Sequence, residues 1–337
     1  MDWSGGVGDQ ASDIRQPDDL RRRSAGAPFR METSDRMALG GFVWRHGGGG
    51  ASRPVVVIAA ATSVRCRYYS RFAGYLFANG FDVLAFDYRG IGESRPQSLR
   101  GFPADWVDWG ERDLEAALLH AQTAFAGQPI HVVGHSIGGF AIGLAPSNRK
   151  IGRIFTVGSQ FAYWRDYAPG HRRRMYLKWH VAMPMLTRLF GYFPAGRLGW
   201  MEDTPAGVVR DWSRMKARFE DTVRQDMFVG GERESKWLRE RFTKVTAPIL
   251  AVGLDDDPHG TPIAINRLLA YFSSSRRLHW QIAPSDIGAQ AIGHFAFFHD
   301  RFRESLWPLA VAWLHCGEIP VRAPGRLYAH DAPERER

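Results

Sequence analysis

The stretch from Pro129 to Gly139 constrains this chain more than any other part of it. A short run rich in β-branched residues leads into Gly-His-Ser-Ile-Gly, with Ser136 at the centre, and small and apolar residues follow. This order predicts a strand, a tight turn and the start of a helix. The turn strains its central residue, so glycines must flank it. The Ser136 hydroxyl would lie beside a helix N-terminus, which favours negative charge. A serine held in this way is usually a nucleophile. The alternative interpretation, a surface serine in a Gly-rich turn, is weaker because the strand and helix patterns flank the motif.

Strand and helix patterns alternate along most of the chain. Apolar runs of strand length predict buried strands at 55–61, 81–86, 129–134, 154–158, 248–253 and 277–282, and two further strands at 28–33 and 37–46. Helical spacing predicts helices at 68–78, 109–125, 263–272 and 302–315. This order favours an α/β fold, with a mostly parallel sheet and helices on both of its faces.

The alternation stops between residues 160 and 245, where aromatic and basic residues are frequent. The chain has a formal net charge of +9, and +7 of it lies between Arg165 and Lys244, where there are 17 Lys and Arg but 10 Asp and Glu. We interpret 160–245 as a helical cap, or lid, inserted over one end of the sheet. Its charge is that of a solvated face or of a surface that attracts anionic substrates, membranes or nucleic acid. The other divisions are a disordered leader at 1–27, a core at 28–159 and 246–315, and a charged tail at 316–337.

An activated serine needs a base, and the base needs a carboxylate that orients it. The carboxyl ends of parallel strands meet at one edge of a sheet, so candidates should follow the later strands. An acidic loop, Asp255-Asp256-Asp257, comes after one of them. The spacing from Gly253 favours Asp256 as the acid, and the spacing to the next helix fits Asp257 about as well. Asp255 is too close to the strand end. A calcium loop would need further spaced oxygen ligands, which the following residues do not supply.

His294 lies in the loop after the last predicted parallel strand and is the candidate base. A histidine deprotonates a serine well because an imidazole ordinarily titrates near neutrality. Most of the twelve histidines are expected on the surface or in the core; His279, for example, falls within a strand. Acyl transfer also needs N–H donors for the developing oxyanion. We expect them at Ile137, directly after the serine, and at Thr62, although Ala60-Ala61-Thr62 does not fix which amide of that loop donates.

At this point the chain resembles the α/β-hydrolase superfamily. The residues that carry the resemblance are Asp87–Ser94 (DYRGIGES), the GHSIGG segment that includes Ser136, the acidic loop after a strand, and the late Gly293-His294 pair. The order serine, acid, histidine is also that of this superfamily. More narrowly, DYRGIGES, WGERDLEAAL and IGHFAFF resemble serine aminopeptidase-like and monoacylglycerol lipase-like predicted hydrolases. The resemblance covers about residues 28 to 315 and implies an α/β-hydrolase fold.

Composition limits the class of protein and its surroundings. Cys66 and Cys316 are far apart in sequence, so they form neither a disulfide framework nor a metal cluster, and a reducing cytoplasm is expected. The chain has no apolar run of 18 or more residues, and its N-terminus lacks the apolar part of a secretory signal. No cofactor or metal is expected. No recognised nucleic-acid-binding motif is present, so the expected partner is a small acyl substrate and not a nucleic acid. The positive charge of the insertion favours a substrate that carries a carboxylate or a phosphate.

These observations predict a cytoplasmic serine hydrolase that cleaves a carboxylic ester or thioester through Ser136, Asp256 and His294. An acyltransferase with the same three residues is the nearest alternative, because the two activities differ in water exclusion and acceptor binding. A non-catalytic ligand-binding protein on the hydrolase fold is the alternative from another class.

Overall fold

The structure is a computed structural model that describes residues 26–47, 53–229 and 232–331. Its strands are β1 (Ala27–Glu32), β2 (Ala38–Trp44), β3 (Val55–Ala59), β4 (Asp82–Phe86), β5 (Ile130–His135), β6 (Ile151–Val157), β7 (Tyr192–Phe193), β8 (Thr204–Pro205), β9 (Phe228–Val229), β10 (Glu232–Arg233), β11 (Ile249–Leu254), β12 (Arg277–Ile282) and β13 (Arg326–Asp331). The α-helices are α1 (Ser70–Ala78), α2 (Trp106–Asp108), α3 (Glu115–Ala124), α4 (Ile137–Leu144), α5 (Arg172–Tyr176), α6 (Met183–Phe190), α7 (Ala206–Arg214), α8 (Glu234–Thr243), α9 (Pro262–Leu269) and α10 (Trp307–Cys316).

Nine of the described strands form one sheet in the order β1-β2-β4-β3-β5-β6-β11-β12-β13. The six strands from β4 to β12 in this order pair in parallel, whereas β1, β2 and β13 add antiparallel strands at the two edges. The residues of β3, β4, β5 and β11 are buried throughout, as expected for strands covered on both faces. The α/β fold predicted from the alternating pattern is confirmed, and β5, which leads to Ser136, is at the centre of the sheet.

Small residues let the helix after Ser136 pack closely on its neighbours. All residues of α4 are buried. A Cβ on Gly138 would lie 2.2 Å from the carbonyl oxygen of Ala59 in β3, and one on Gly143 would lie 2.0 Å from the ring of Phe242 in α8. These distances are too short for any side chain, so the glycines allow α4 to contact both the sheet and the inserted segment.

The charged tail contributes a strand that the sequence did not reveal. Arg326–Asp331 pairs antiparallel with β12, so the sheet extends beyond residue 315, the predicted end of the core. The Trp280 indole N–H donates to the carbonyl of Pro324 at 2.8 Å, and Gly325, at φ +102°, turns the chain onto the sheet edge. The pairing provides hydrogen-bond partners for the backbone groups of β12. Because the tail is charged, its hydropathy pattern does not predict a strand there. At the other end, residues 1–25 of the predicted leader lie outside the described residues.

The segment between residues 160 and 245 is helical, as its sequence suggests. A helix from Arg172 to Phe190 consists of α5, a π-helical stretch (Leu177–Ala182) and α6, and α7 and α8 follow it. Two short hairpins, β7–β8 and β9–β10, connect these helices. None of the helices in the described part of the chain has both the length and the apolar character that a membrane span requires.

Candidate active site

Ser136 is at the turn between β5 and α4, and its backbone is strained. It has φ 54° and ψ −119°, a conformation that costs a non-glycine residue about 1–3 kcal/mol. Its amide donates to the carbonyl of Val157 at 3.0 Å, which ties the turn to β6. A Cβ on Gly134 would lie 2.9 Å from the Gly139 nitrogen, so the close turn requires a glycine there. The strand, turn and helix predicted around Ser136 are therefore present in the structure.

His294 is paired with Asp257. The His294 Nδ1 atom lies 2.6 Å from Asp257 Oδ2, and both side chains are buried. The other carboxylate oxygen of Asp257, Oδ1, accepts the backbone N–H groups of His259 at 2.8 Å and Gly260 at 2.9 Å. Because Oδ1 is occupied in this way, the carboxylate is fixed with Oδ2 toward the imidazole, which keeps the proton of His294 on Nδ1.

The preference for Asp256 is wrong in the structure, because its side chain has a different partner. Asp256 Oδ2 accepts the backbone N–H groups of Ile292 at 2.8 Å and Gly293 at 2.9 Å, and so holds the loop that precedes His294. Asp255 is 3.3 Å from Arg326 in β13. Three consecutive aspartates thus have three separate partners, and the one farthest from β11 reaches the imidazole.

Two glycines make room for the Asp257 carboxylate. A Cβ on Gly158, which has φ +55°, would lie 2.7 Å from Asp257 Oδ2 and 3.2 Å from His294 Nδ1. A Cβ on Gly260 would lie 2.5 Å from the same oxygen. Burial alone would raise the pKa of Asp257, but attraction to His294 and the hydrogen bonds from His294 and Gly260 outweigh it, and its pKa is lower than that of an ordinary aspartate. The carboxylate therefore remains ionised beside the imidazole.

Gln160 contacts the Ser136 hydroxyl directly. Its Nε2 atom donates to Ser136 Oγ at 3.4 Å, and its side-chain oxygen accepts the N–H of Ala162. Gln160 is buried and follows β6, the strand beside β5. Among the described residues, Gln160 is the hydrogen-bond partner of this hydroxyl, and a Ser136–His294 hydrogen bond is not formed. Since the hydroxyl oxygen accepts from Gln160, its own proton is left to be donated elsewhere.

Ser136 and His294 line the same cavity, which has a volume of about 180 Å³. Thr62 and Ile137, the two predicted oxyanion donors, line it too. Its wall is largely aromatic and comes mostly from the inserted segment and the loops, with Trp106, Trp179, Trp200, Trp212 and Phe295. Four of the five predicted site residues therefore line one cavity, and the carboxylate that contacts His294 is that of Asp257 rather than that of Asp256.

A chain of buried hydrogen bonds connects three loops of the site. The Ala61 N–H donates to Tyr69 Oη at 3.0 Å, and Tyr69 Oη is 2.7 Å from His135 Nδ1. His135 Nε2 is 2.8 Å from the carbonyl oxygen of His294. Since a carbonyl only accepts, His135 carries its proton on Nε2 and accepts the Tyr69 hydroxyl at Nδ1. Burial lowers the pKa of His135 to about 3, so the imidazole is neutral, as this pattern requires.

The same chain narrows the choice of the second oxyanion donor. The Ala61 amide is engaged by Tyr69, so it does not face the cavity as a free donor. Thr62, the next residue, lines the cavity.

Within the described ranges, no three His, Cys, Asp or Glu side chains are grouped in a way that could hold a metal ion.

A model of the family described as serine aminopeptidase, S33, matches residues 50–280, which is more than half of the chain. The chain belongs to this hydrolase family. The match includes Ser136 and Asp257, while His294 lies beyond its end. The resemblance to serine aminopeptidase-like α/β-hydrolases that the sequence motifs indicated is confirmed.

The chain also has relatives in sequence and neighbours in structure. Two uncharacterized proteins of Mycobacterium tuberculosis, from strains CDC 1551 / Oshkosh and ATCC 25618 / H37Rv, are each 35% identical over 103 residues, which is 28% of this chain. The match spans about a third (36%) of the length of these relatives. An esterase of Pyrococcus furiosus has a TM-score of 0.55 at 16% identity, covering 92% of this chain and 95% of its own. A soluble variant of monoglyceride lipase from Saccharomyces cerevisiae, in complex with a substrate analog, has a TM-score of 0.58 at 16% identity, covering 84% and 93%. At these identities the two structures show a common fold.

Three residues of the site were missed by the sequence analysis. Gln160 begins the segment that we treated as a cap, and no motif marks it. His259 and Lys178 both line the cavity, but nothing in the local sequence of Lys178 places it near Ser136. For His259 a signal was available, because it lies two residues after Asp257, at the end of the acidic loop.

Proposed function

We propose that this protein is a serine hydrolase that cleaves a carboxylic ester or thioester, with Ser136 as nucleophile, His294 as base and Asp257 as the orienting acid. The observation that carries the proposal is the buried Asp257–His294 pair, whose imidazole lines the same cavity as a serine on a strained strand-to-helix turn. An acid, a base and a nucleophile around one cavity are what acyl transfer requires. The family membership and the esterase and lipase names of two fold neighbours support the same reaction class.

The first half of the reaction forms an acyl-enzyme. The Ser136 oxygen attacks the carbonyl carbon of the substrate while its proton moves to His294 Nε2. The carbonyl electron pair becomes an oxyanion, which the backbone N–H groups of Ile137 and Thr62 stabilise. The tetrahedral intermediate then collapses, and His294 returns the proton to the departing alcohol or thiol. Gln160 supports this geometry, because its donation to Ser136 Oγ leaves the hydroxyl proton free for the imidazole.

The second half repeats these steps with water. His294 takes a proton from a water molecule, the resulting hydroxide attacks the acyl carbon, and Ser136 leaves with the proton. Throughout, the Asp257 carboxylate stabilises the imidazolium that forms and keeps the correct tautomer. The aromatic wall of the cavity provides an apolar surface for the acyl chain.

A panel of p-nitrophenyl esters from acetate to laurate tests the proposal. We expect turnover by the wild type and a loss of kcat of more than about 1000-fold in Ser136→Ala. Ser159→Ala is the matched control, because Ser159 is a buried serine beside the same turn whose hydroxyl donates to the Gly134 carbonyl at 3.4 Å and does not line the cavity. Equal turnover by wild type and Ser136→Ala would refute the nucleophile.

Adding alcohols or thiols to the same assay distinguishes the acyltransferase. Faster p-nitrophenol release together with a new acylated product would point to transfer, whereas free acid as the product at every acceptor concentration would support hydrolysis. A folded protein that turns over no ester and is not labelled by a fluorophosphonate probe would instead favour a binding protein.

A further inference from the structure

The charges around the cavity are unbalanced. Among the described residues that line it, Lys178 is the one lysine or arginine, and none is an aspartate or glutamate. The two imidazoles of the lining are those of His294 and His259. The pKa of His259 is lowered to about 3 by burial and by repulsion from His294, so this ring is neutral. Lys178 is therefore the fixed positive charge of the cavity.

Aromatic faces hold the Lys178 ammonium without neutralising it. Its Nζ atom lies 3.9 Å from the ring centroid of Trp200 and 4.2 Å from that of Trp179. No aspartate or glutamate is among the described residues that line the cavity around Lys178, and Arg174 is the one charged group that shifts its pKa. Burial and repulsion from Arg174 lower the pKa of Lys178, as expected for a charge that lacks a counterion. Cation–π contacts fix the position of the ammonium and leave its N–H groups able to bind an anion.

A row of aromatic rings leads from this cation to the proposed base. The ring centroid of Trp179 is 6.2 Å from that of His259, and His259 is 4.9 Å from His294. Lys178 and His294 thus lie along the same wall of one cavity. A substrate whose ester carbonyl is at Ser136 could reach Lys178 with another part of the molecule.

We propose that Lys178 is a specificity residue that binds an anionic group of the substrate, so that the enzyme prefers esters carrying a carboxylate or similar anion. This inference rests on the proposed ester hydrolysis and adds a substrate class to it. A half-buried ammonium that gains a carboxylate forms a charge-assisted hydrogen bond, which is stronger than a neutral one. The anion can belong to the acyl chain or to the alcohol, and the two positions are tested separately.

Two matched pairs of chromogenic or phenolic esters make the test. The acyl-side pair is p-nitrophenyl valerate and mono-p-nitrophenyl glutarate, and the alcohol-side pair is phenyl acetate and 4-acetoxybenzoate. The readout is the ratio of kcat/KM for the anionic and the neutral member of each pair. We expect Lys178→Met to lower this ratio by about 10- to 100-fold in one pair, and Lys178→Arg to retain it within about threefold. The pair that responds identifies which side of the substrate carries the anion.

Lys236→Met is the control for net charge. Lys236 is exposed on α8, is paired with Glu232 and does not line the cavity. Its substitution by methionine therefore lowers the net charge of the protein by the same amount as Lys178→Met, but away from the cavity. An unchanged ratio in Lys178→Met, or an equal change in Lys236→Met, would overturn the inference while leaving turnover of the neutral esters as evidence for hydrolysis.

A binding measurement separates this inference from the reaction itself. A calorimetric titration of Ser136→Ala with glutarate should show binding. The double variant that also carries Lys178→Met should bind glutarate about tenfold or more weakly. Binding of equal strength in the two proteins, or in neither, would overturn the role of Lys178. This result does not depend on whether any ester is hydrolysed.

Discussion

Asp257→Asn should abolish most of the activity, although it changes little of the shape of the site. Oδ1 of Asp257 accepts two backbone N–H groups, from His259 and Gly260, so an asparagine will place its oxygen there. Its NH₂ group then replaces Oδ2 and faces His294 Nδ1, 2.6 Å away in the wild type. Because an NH₂ group donates, the imidazole must accept at Nδ1 and carry its proton on Nε2. In that tautomer His294 cannot take the Ser136 proton.

The expected loss follows from the tautomer and from the missing charge. Blocking the base in this way costs about 10³- to 10⁴-fold in kcat, which corresponds to about 4–5.5 kcal/mol. Asp256→Asn is the matched control, because its side-chain oxygen can still accept the N–H groups of Ile292 and Gly293. We expect it to change kcat by less than about threefold.

Steady-state ester hydrolysis measures both variants, and thermal unfolding checks that each is folded. If Asp256→Asn loses more activity than Asp257→Asn while both proteins remain folded, the assignment of the acid is refuted. Equal small losses in the two variants would show that His294 needs neither carboxylate.

Substitutions at three further positions test the surroundings of the proposed triad. Gln160→Ala should lower kcat by about tenfold, and Gln160→Glu by more, because a carboxylate competes for the hydroxyl proton and repels the oxyanion; hydrolysis rates of folded protein check this. The free energy of unfolding of the wild type should fall relative to that of His135→Asn as pH decreases from 6.5 toward 3, by up to about 1.4 kcal/mol per pH unit. The pKa of His135 is about 3 in the folded state and ordinary in the unfolded state, so only the unfolded chain takes up the proton in this range; parallel denaturant titrations that show a constant difference would contradict it. Gly158→Ala should destabilise the fold by about 1–3 kcal/mol and slow hydrolysis, since its Cβ would press on Asp257 Oδ2 from a backbone at φ +55°, and an unaltered melting temperature would count against this crowding.

Local sequence patterns were sufficient for the framework of the site. The alternation of apolar runs and helical spacing predicted the parallel strands, because a buried parallel strand has to be continuously apolar. The GHSIGG segment predicted the turn at Ser136, because such a close turn requires glycines. In the structure, a Cβ on Gly138 would lie only 2.2 Å from the carbonyl oxygen of Ala59 in the neighbouring strand. The position of His294 after the last parallel strand followed from the convergence of strand ends.

The remaining features depend on contacts that no local pattern encodes. Spacing could not tell whether Asp256 or Asp257 pairs with His294. In the structure the backbone N–H groups of Ile292 and Gly293 donate to Asp256, which leaves Asp257 to contact the imidazole. The strand β13 was hidden by the charges of the tail, although its pairing with β12 needs only a backbone in register. Lys178 and His294 line one cavity although they are far apart in sequence, so only the folded chain shows that they are neighbours.

The most direct test of the account is to trap the acyl-enzyme. Wild-type protein mixed with a p-nitrophenyl ester, quenched in acid within the first turnover and digested, should yield a peptide containing Ser136 whose mass has increased by one acyl group. Asp257→Asn should accumulate this species far more slowly, and Ser136→Ala should not form it. Steady hydrolysis without any acylated peptide, or an acyl group found on another residue, would contradict the central claim that Ser136 is the nucleophile.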